Sequence, residues 1–148
     1  MSENRIEKQI ELKSPPARVW KALTDHKEFG QWFGCVFEGP FAVGKSVPGT
    51  LNFPGFEHLQ WAVDVKVMEA PRVFAFTWHP YPADASIDYS KEPPTLVEFT
   101  LHAAGSGTRL VVVESGFEKI PANRRLEAFR MNTEGWVEQL ENVAKYVG

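Results

Sequence analysis

Cysteine is almost absent from this sequence of 148 residues, since Cys35 is the only one. A single cysteine excludes an internal disulfide bond and fits a protein of a reducing compartment. The first 13 residues alternate charged and apolar side chains and lack the apolar core of a secretory signal peptide. We therefore expect a cytoplasmic protein in which residues 1–148 form one domain.

Long apolar runs, basic clusters and paired histidines are missing as well. No stretch approaches the roughly 18 apolar residues of a membrane-spanning helix, so no membrane insertion is expected. The formal net charge of −3 argues against nucleic acid as a partner. The four histidines lack metal-ligand spacing, and no glycine-rich phosphate loop or hydrolase serine motif occurs. The sequence therefore predicts no metal and no cofactor.

Aromatic residues are plentiful by contrast, with five tryptophans and eleven phenylalanines. Many of them lie in segments where apolar and polar residues alternate, which is the pattern of strands with one buried face. These segments are 5–13, 35–38, 46–53, 60–68, 73–78, 96–102 and 107–117. Two short helices are predicted after the first strand. Ser14 is the expected N-cap of one, with Pro15 in its first turn, and the other follows Asp25 and ends at Gly34.

Residues 123–147 predict one long helix with a single apolar stripe. The stripe consists of Leu126, Phe129, Trp136, Leu140, Val143 and Val147. Polar Asn132 and Thr133 interrupt it, beside Gly135. We interpret the interruption as a space between helix and sheet that holds a ligand. Strands joined by short turns pair antiparallel, so the pattern predicts an α+β fold with an antiparallel sheet curled around this helix.

Several stretches of the sequence, in the same order along the chain, resemble the SRPBCC superfamily of START-like, helix-grip proteins. They are 14–24, 31–33, 74–78, 107–117 and Gly135-Trp136 with Leu140. The sequence is most similar to the family of homologues of the activator of heat-shock-protein-90 ATPase. This resemblance implies a helix-grip fold, with a curved antiparallel sheet of about six or seven strands around a long C-terminal helix, and two short helices after the first strand.

The resemblance also implies an internal cavity, in which relatives bind lipids, sterols, plant hormones or polyketides. A few relatives catalyse cyclisation or dehydration. The eukaryotic namesake of the family is a cochaperone that joins this domain to a second one. A chaperone is therefore one partner that the resemblance suggests.

Glu114 is the most informative candidate residue, because it alternates with Leu110 and Val112 and so should face the helix. A carboxylate there would lose solvation, which raises its pKa. Several roles stay open: contact with a ligand, acid–base catalysis, exposure to solvent, or pairing with an arginine. The arginines considered are Arg124, Arg125 and Arg130.

The predicted ligand site combines aromatic walls with a few polar groups. Its residues are Trp32, Trp61, Phe76, Trp78, Phe99, Val112, Glu114, Phe117, Asn132 and Trp136. The same aromatic residues would equally serve as packed core. The proline-rich segment 80–94 is longer than most connections and predicts either a gate, formed by Tyr81, Ile87 and Tyr89, or an exposed loop.

The preferred functional prediction is non-catalytic binding of a small hydrophobic molecule of lipid, sterol or aromatic type. Glu114 would orient the polar end of that ligand. The first alternative is a chaperone-linked interaction module with a filled core, which would show an exposed apolar patch. The second is an enzyme that uses Glu114 as acid or base. The sequence indicates no oligomeric state.

Overall fold

The computed structural model describes residues 5–52, 60–80 and 91–148. The strands within them are β1 Arg5–Leu12, β2 Cys35–Phe37, β3 Ser46–Leu51, β4 Gln60–Glu69, β5 Val73–Trp78, β6 Thr95–Ala104 and β7 Gly107–Ser115. The helices are α1 Pro16–Thr24, α2 His26–Phe33 and α3 Ala122–Val147, and a 3-10 turn at Phe117–Lys119 precedes α3. The predicted order of one strand, two short helices, a run of strands and a long helix is confirmed.

The strands form one curved antiparallel sheet in the order β1-β7-β6-β5-β4-β3-β2. From β2 to β7 each strand pairs with the next one along the chain, as short turns require. The first strand joins from the other side, because β1 pairs with β7 along its whole length, from Arg5 opposite Ser115 to Leu12 opposite Thr108.

The two short helices lie where they were predicted, but the cap of the first one is different. The N-cap of α1 is Pro15 and makes no side-chain hydrogen bond. Ser14 instead donates its hydroxyl to the carbonyl of Val147, 2.7 Å away, at the end of α3. Asp25 caps α2 by accepting from the backbone of Lys27 and Glu28, and Gly34 ends it at a φ of 94°.

Helix α3 lies against the concave face of the sheet and buries one side. Its buried residues are Ala128, Trp136, Gln139, Leu140 and Val143. The inward residues of the strands complete the core, and most of the large ones are phenylalanine or tryptophan. The predicted helix-grip α+β fold is therefore confirmed.

The alternation in β4 breaks at a β-bulge. The alternation in segment 60–68 predicts that Trp61, Val63, Val65 and Val67 share one face of the strand, but the register against β5 shifts between Val65 and Val67. Beyond the shift it is Met68 that packs against the core. A bulge inserts one extra residue and so reverses the faces that follow. No helix in the described part of the chain is long and apolar enough to span a membrane.

Candidate functional site

Glu114 lies under α3, near the end of β7, which is the strand next to the edge strand β1. It lies on β7 opposite Ile6 of β1 and Val97 of β6. Leu110 and Val112 precede it on the same face, so the strand carries a carboxyl group into a surface that is otherwise apolar. Its exposed fraction is 0%, and the predicted inward orientation is correct.

Four neutral side chains donate hydrogen bonds to the carboxylate of Glu114. Oε1 accepts from the indole nitrogen of Trp136 at 2.8 Å and from the amide of Asn132 at 2.9 Å. Oε2 accepts from the indole nitrogen of Trp78 at 2.8 Å, from the hydroxyl of Thr95 at 2.6 Å and from the Asn132 amide at 3.1 Å. A carboxylate offers about four lone-pair sites, so both oxygens are saturated.

Opposing effects act on the protonation of this group. Burial raises the pKa of Glu114, and this effect outweighs the hydrogen bonds from Thr95, Trp78, Trp136 and Asn132, each of which lowers it. Among the described residues, no cation contributes to the balance. In the described part of the chain, the site is therefore a buried acid held by neutral dipoles.

The arginines considered as partners of Glu114 lie elsewhere. Arg124 forms an ion pair with Glu92 at 2.9 Å and donates to the carbonyl of Pro80. Arg125 donates to the carbonyl of Ile120, and Arg130 is exposed on α3. The alternative of an arginine partner, which the sequence left open, is therefore not the one that the structure adopts, because these side chains either find nearer acceptors or are exposed.

Thr95 is the donor that the sequence analysis missed. The predicted strand began at residue 96, whereas β6 begins at Thr95. The signal was present, because Thr95 stands two residues before the inward Val97 and therefore shares its face. Extending the alternation by one residue would have placed its hydroxyl beside Glu114.

The polar interruption in the α3 stripe has a direct explanation. Asn132 stands where an apolar residue would continue the stripe, and its amide meets both oxygens of Glu114. Thr133 turns its hydroxyl back to the carbonyl of Phe129. The interruption matches a polar group on the sheet, so at this point helix and sheet are in contact.

An extended aromatic cluster surrounds the carboxylate. The indole rings of Trp78 and Trp136 stack with 5.7 Å between centroids and 21° between planes. Phe99 meets Trp136 edge-on at 5.6 Å, and Phe33 lies 5.9 Å from Trp78. Trp61 continues the cluster, edge-on to Trp78 at 5.6 Å. Because Glu114 accepts from Trp78 and Trp136, it fixes the orientation of both stacked rings.

The predicted site residues divide into two groups. Those with no accessible surface are packed core: Phe76, Phe99, Val112, Glu114 and Phe117. Trp32 is buried and donates to the carbonyl of Ala22 at 2.8 Å. Trp136 and Trp78 are also buried, at 2% and 9% exposure, whereas Trp61 and Asn132 are half-buried. The role of either group in ligand binding stays a prediction.

Trp61 differs from the other tryptophans of this cluster. Its ring contacts Phe33, Phe37 and Trp78. Its indole nitrogen is buried, yet it has no hydrogen-bond acceptor among the described residues. A buried indole N–H normally has a partner. This donor is therefore the one polar atom of the cluster that is unsatisfied within the described part of the chain.

The other candidate groups for catalysis or metal binding are a single cysteine and the remaining acidic and histidine side chains. Burial raises the pKa of the Cys35 thiol to about 12, so a thiolate nucleophile is not available at neutral pH. Among the described residues, no group of three His, Cys, Asp or Glu side chains is placed to hold a metal ion. The gate residues Tyr81, Ile87 and Tyr89 lie outside the described residues.

The fold and this site can be set beside known proteins. The family described as Activator of Hsp90 ATPase homolog 1-like protein matches residues 13–148. This chain belongs to that family. Its membership in the Activator of Hsp90 ATPase homolog 1-like family agrees with the resemblance read from the sequence. No curated protein matches the chain.

Solved structures share the fold of this family member at low sequence identity. Protein MLL2253 from Mesorhizobium loti is 21% identical with a TM-score of 0.77, and the match covers 97% of this chain and 96% of that one. CalU16 from Micromonospora echinospora is 21% identical with a TM-score of 0.67, covering 97% and 76%. DynU16, a protein of the dynemicin biosynthetic locus, is 22% identical with a TM-score of 0.74. The match covers 97% of this chain but 47% of DynU16.

Proposed function

We propose that this protein binds a small, largely apolar molecule against the aromatic surface of Phe33, Trp61, Trp78 and Trp136, without converting it. The observation that carries the proposal is the buried indole N–H of Trp61, which lacks an acceptor among the described residues. An oxygen atom of a bound ligand would accept the hydrogen bond from this N–H group. Apolar walls with one or a few placed polar groups are the usual composition of small-molecule sites.

The neighbouring donors support this reading of Trp61. The indole nitrogens of Trp32, Trp78 and Trp136 all have acceptors at 2.8 Å. The chain thus supplies acceptors where an indole is permanently enclosed. The origin of one structural relative in a biosynthetic locus for a small molecule fits a ligand of this kind.

Glu114 has a different role here from the one inferred from the sequence. Both of its oxygens already accept from protein donors, so a ligand group would have to displace an indole, a hydroxyl or an amide to reach it. We assign it the positioning of the stacked Trp78 and Trp136 rings, on which the ligand packs. A general acid or base must come within about 3.2 Å of the proton that it transfers, and Glu114 has no surface open to a substrate.

A protein-interaction role, linked to a chaperone, is the second candidate. The observation that favours it is the close packing of the interior, since Phe76, Phe99, Val112 and Phe117 have no accessible surface. On that view the aromatic cluster serves stability alone, and the partner binds an outer surface.

A titration followed by nitrogen–proton NMR distinguishes the candidates, because the five tryptophans give five indole N–H signals. Lipids, sterols and planar aromatic compounds bearing a carbonyl are added in turn. Binding is expected to move the Trp61 signal most. Trp61→Phe keeps the ring and removes the donor, so it should weaken binding by about 5- to 100-fold, the cost of an unpaired buried acceptor.

Trp20→Phe is the matched control, because Trp20 lies on α1, outside the proposed site, and contacts Phe74. It should leave the affinity unchanged. Equal affinity of Trp61→Phe and the unmodified protein would contradict the assigned site. Absence of any shift across all three compound classes would favour the interaction role.

A further inference from the structure

An open groove, here called the outer groove, lies on the convex face of the sheet, away from α3. Its floor is a row of side chains from four neighbouring strands. Arg5 of β1 lies opposite Ser115 of β7, Ser115 lies opposite Leu96 of β6, and Leu96 lies opposite Thr77 of β5. Because faces alternate along a strand and Glu114 faces α3, Ser115 and the residues opposite it face outward. The volume of the groove is about 540 Å³, which is within the usual range for a small-molecule site.

The floor of the outer groove combines an apolar centre with two hydroxyl groups. Leu96 is half-buried and lies in the middle of the row. Ser115 and Thr77 flank it, and the hydroxyl group of neither residue forms a hydrogen bond with another described residue. Pro93 and Pro94, just before β6, add an apolar rim. An apolar surface with a few polar groups is the usual composition of a site for a small organic molecule.

Two cations lie at one end of the outer groove, although the chain as a whole is acidic, with a net charge of −3. Arg5 donates to Glu7 at 3.0 Å, but this ion pair is exposed and leaves most of the five N–H groups of the guanidinium available. Lys119 forms no ion pair with any other described residue. Glu118 is the one acidic residue among the described residues that line the groove. Asp64 of β4 continues the row at the opposite end, so the charge changes from positive to negative along the groove.

We propose that the outer groove is a second binding site, which takes a small organic acid with one carboxylate on an apolar chain. The carboxylate accepts hydrogen bonds from Arg5, Lys119 and the hydroxyl of Ser115. The apolar chain lies on Leu96 and is directed toward the other end of the row. Asp64 repels a second carboxylate there, so the site favours monocarboxylates over dicarboxylates. The aromatic cluster lies on the other face of the sheet, so this site is independent of the one proposed above.

Titration of the full chain with octanoate, followed by nitrogen–proton NMR, tests the proposal. The backbone amide signals of Leu96 and Ser115 are expected to move most. Hexanoate should bind more weakly, by up to about fourfold for each methylene group that is lost from contact with the apolar floor. Octanamide, which keeps the chain without the charge, and octanedioate, which adds a second carboxylate, should also bind more weakly than octanoate. A response confined to the indole signal of Trp61 would overturn the proposal and place octanoate in the aromatic cluster.

Removal of single cations tests the assigned end of the outer groove. Arg5→Gln and Lys119→Gln should each lower the affinity for octanoate by about two- to fivefold, and added salt should reduce the difference. Arg109→Gln is the matched control, because Arg109 is exposed on the same face of β7 but lies six residues from Ser115, about 20 Å along the strand. Affinities equal to that of Arg109→Gln in both groove variants would overturn the proposal. Trp61→Phe should leave octanoate binding unchanged, so the two sites are tested separately.

Discussion

Glu114 is unusual as a residue because it is a fully buried acid without a cationic partner among the residues that the structure describes. Its neighbours Trp78, Trp136 and Asn132 present N–H groups, and an indole N–H can only donate. Thr95 is the one partner with a hydroxyl that also accepts. The ring of donors therefore requires an acceptor at its centre, and this requirement fixes the residue type more strictly than packing would.

Replacement of Glu114 by glutamine should destabilise the fold although the shape is retained. The amide nitrogen of glutamine would face an indole N–H in either orientation, so either Trp78 or Trp136 loses its acceptor. We expect a loss of about 1–3 kcal/mol in the free energy of unfolding, measured with urea. Glu11→Gln, at an exposed position of β1, is the control and should change stability by less than about 0.5 kcal/mol.

Comparison of the unmodified protein with Glu114→Gln at several pH values also reveals the direction in which folding shifts the pKa of Glu114. Burial raises the pKa of Glu114 in the folded state, so the folded protein binds this proton more readily than the unfolded chain does. The contribution to stability is fully present below the unfolded pKa, about 4.3, and is lost as the pH rises through the higher folded pKa. The advantage of the unmodified protein over Glu114→Gln should therefore shrink from about pH 4 upward. An advantage that grows with pH would mean that the hydrogen bonds outweigh burial.

At the scale of the residue, the sequence predicted which way the Glu114 side chain points, but not which residues form hydrogen bonds with it. Alternation with Leu110 and Val112 placed Glu114 inward, since a strand has a fixed period of two. Its partners come from three other elements, and nothing local in the chain records which side chains meet across helix and sheet. Arg124 was a reasonable guess by charge, yet it binds Glu92 instead.

Helix α3 contains a glycine that the element does not need. A Cβ at Gly135 would meet no atom within 4 Å. Glycine in a helix interior costs about 0.5–1 kcal/mol relative to alanine, chiefly through the freedom of the unfolded chain. Gly135→Ala should therefore stabilise the protein by about that amount in thermal or urea unfolding. Gly30→Ala is the contrasting substitution in α2, because its Cβ would collide with the carbonyl of Cys35.

At the scale of the element, the periodicity of apolar residues predicted which strands and helices occur and roughly where they begin and end. It did not predict the bulge in β4 or the cap of α1. The strand β5, Val73–Trp78, has the predicted bounds. The bulge in β4 was not foreseen, because both sides of it carry apolar residues and the alternation continues through it in the sequence. The cap of α1 was wrong because Ser14 has a more distant acceptor, Val147.

At the scale of the whole molecule, hydrogen bonds join the residue that follows β1, the start of β7 and the end of α3 at one corner. The hydroxyl of Thr108 donates to the carbonyl of Ser14 at 2.8 Å, and the hydroxyl of Ser14 donates to Val147 at 2.7 Å. Gly107 allows this approach, since a Cβ there would collide with the carbonyl of Leu12. The corner thus connects β1, the β6–β7 hairpin and the end of α3.

Gly107→Ala should loosen the molecule as a whole. The added methyl group has to move the backbone of β1 away from β7, and overpacking of this kind costs about 1–3 kcal/mol. We expect a lower midpoint of thermal unfolding and faster amide exchange along β1. Gly135→Ala carries the same added methyl group without a collision and is the matched control. Equal stability of the two variants would show that the backbone of β1 accommodates the added methyl group without a loss of stability.

The architecture as a whole was predictable because short turns leave little choice for β2 to β7. The place of β1 in the sheet was not predictable, since two helices follow it and no hairpin determines which strand it pairs with. The family resemblance supplied the helix-grip arrangement, and the match over residues 13–148 begins just after β1.

The pairing of β1 with β7 also has a consequence for synthesis. The strands from β2 to β7 can pair as they leave the ribosome, each with the one before it. The first strand has to wait until Ser115 emerges, about 100 residues later, or about 5–20 s at ordinary translation rates. During that interval the apolar face of β1 is without its partner, so the earliest segment of the chain is the one most in need of protection from premature association.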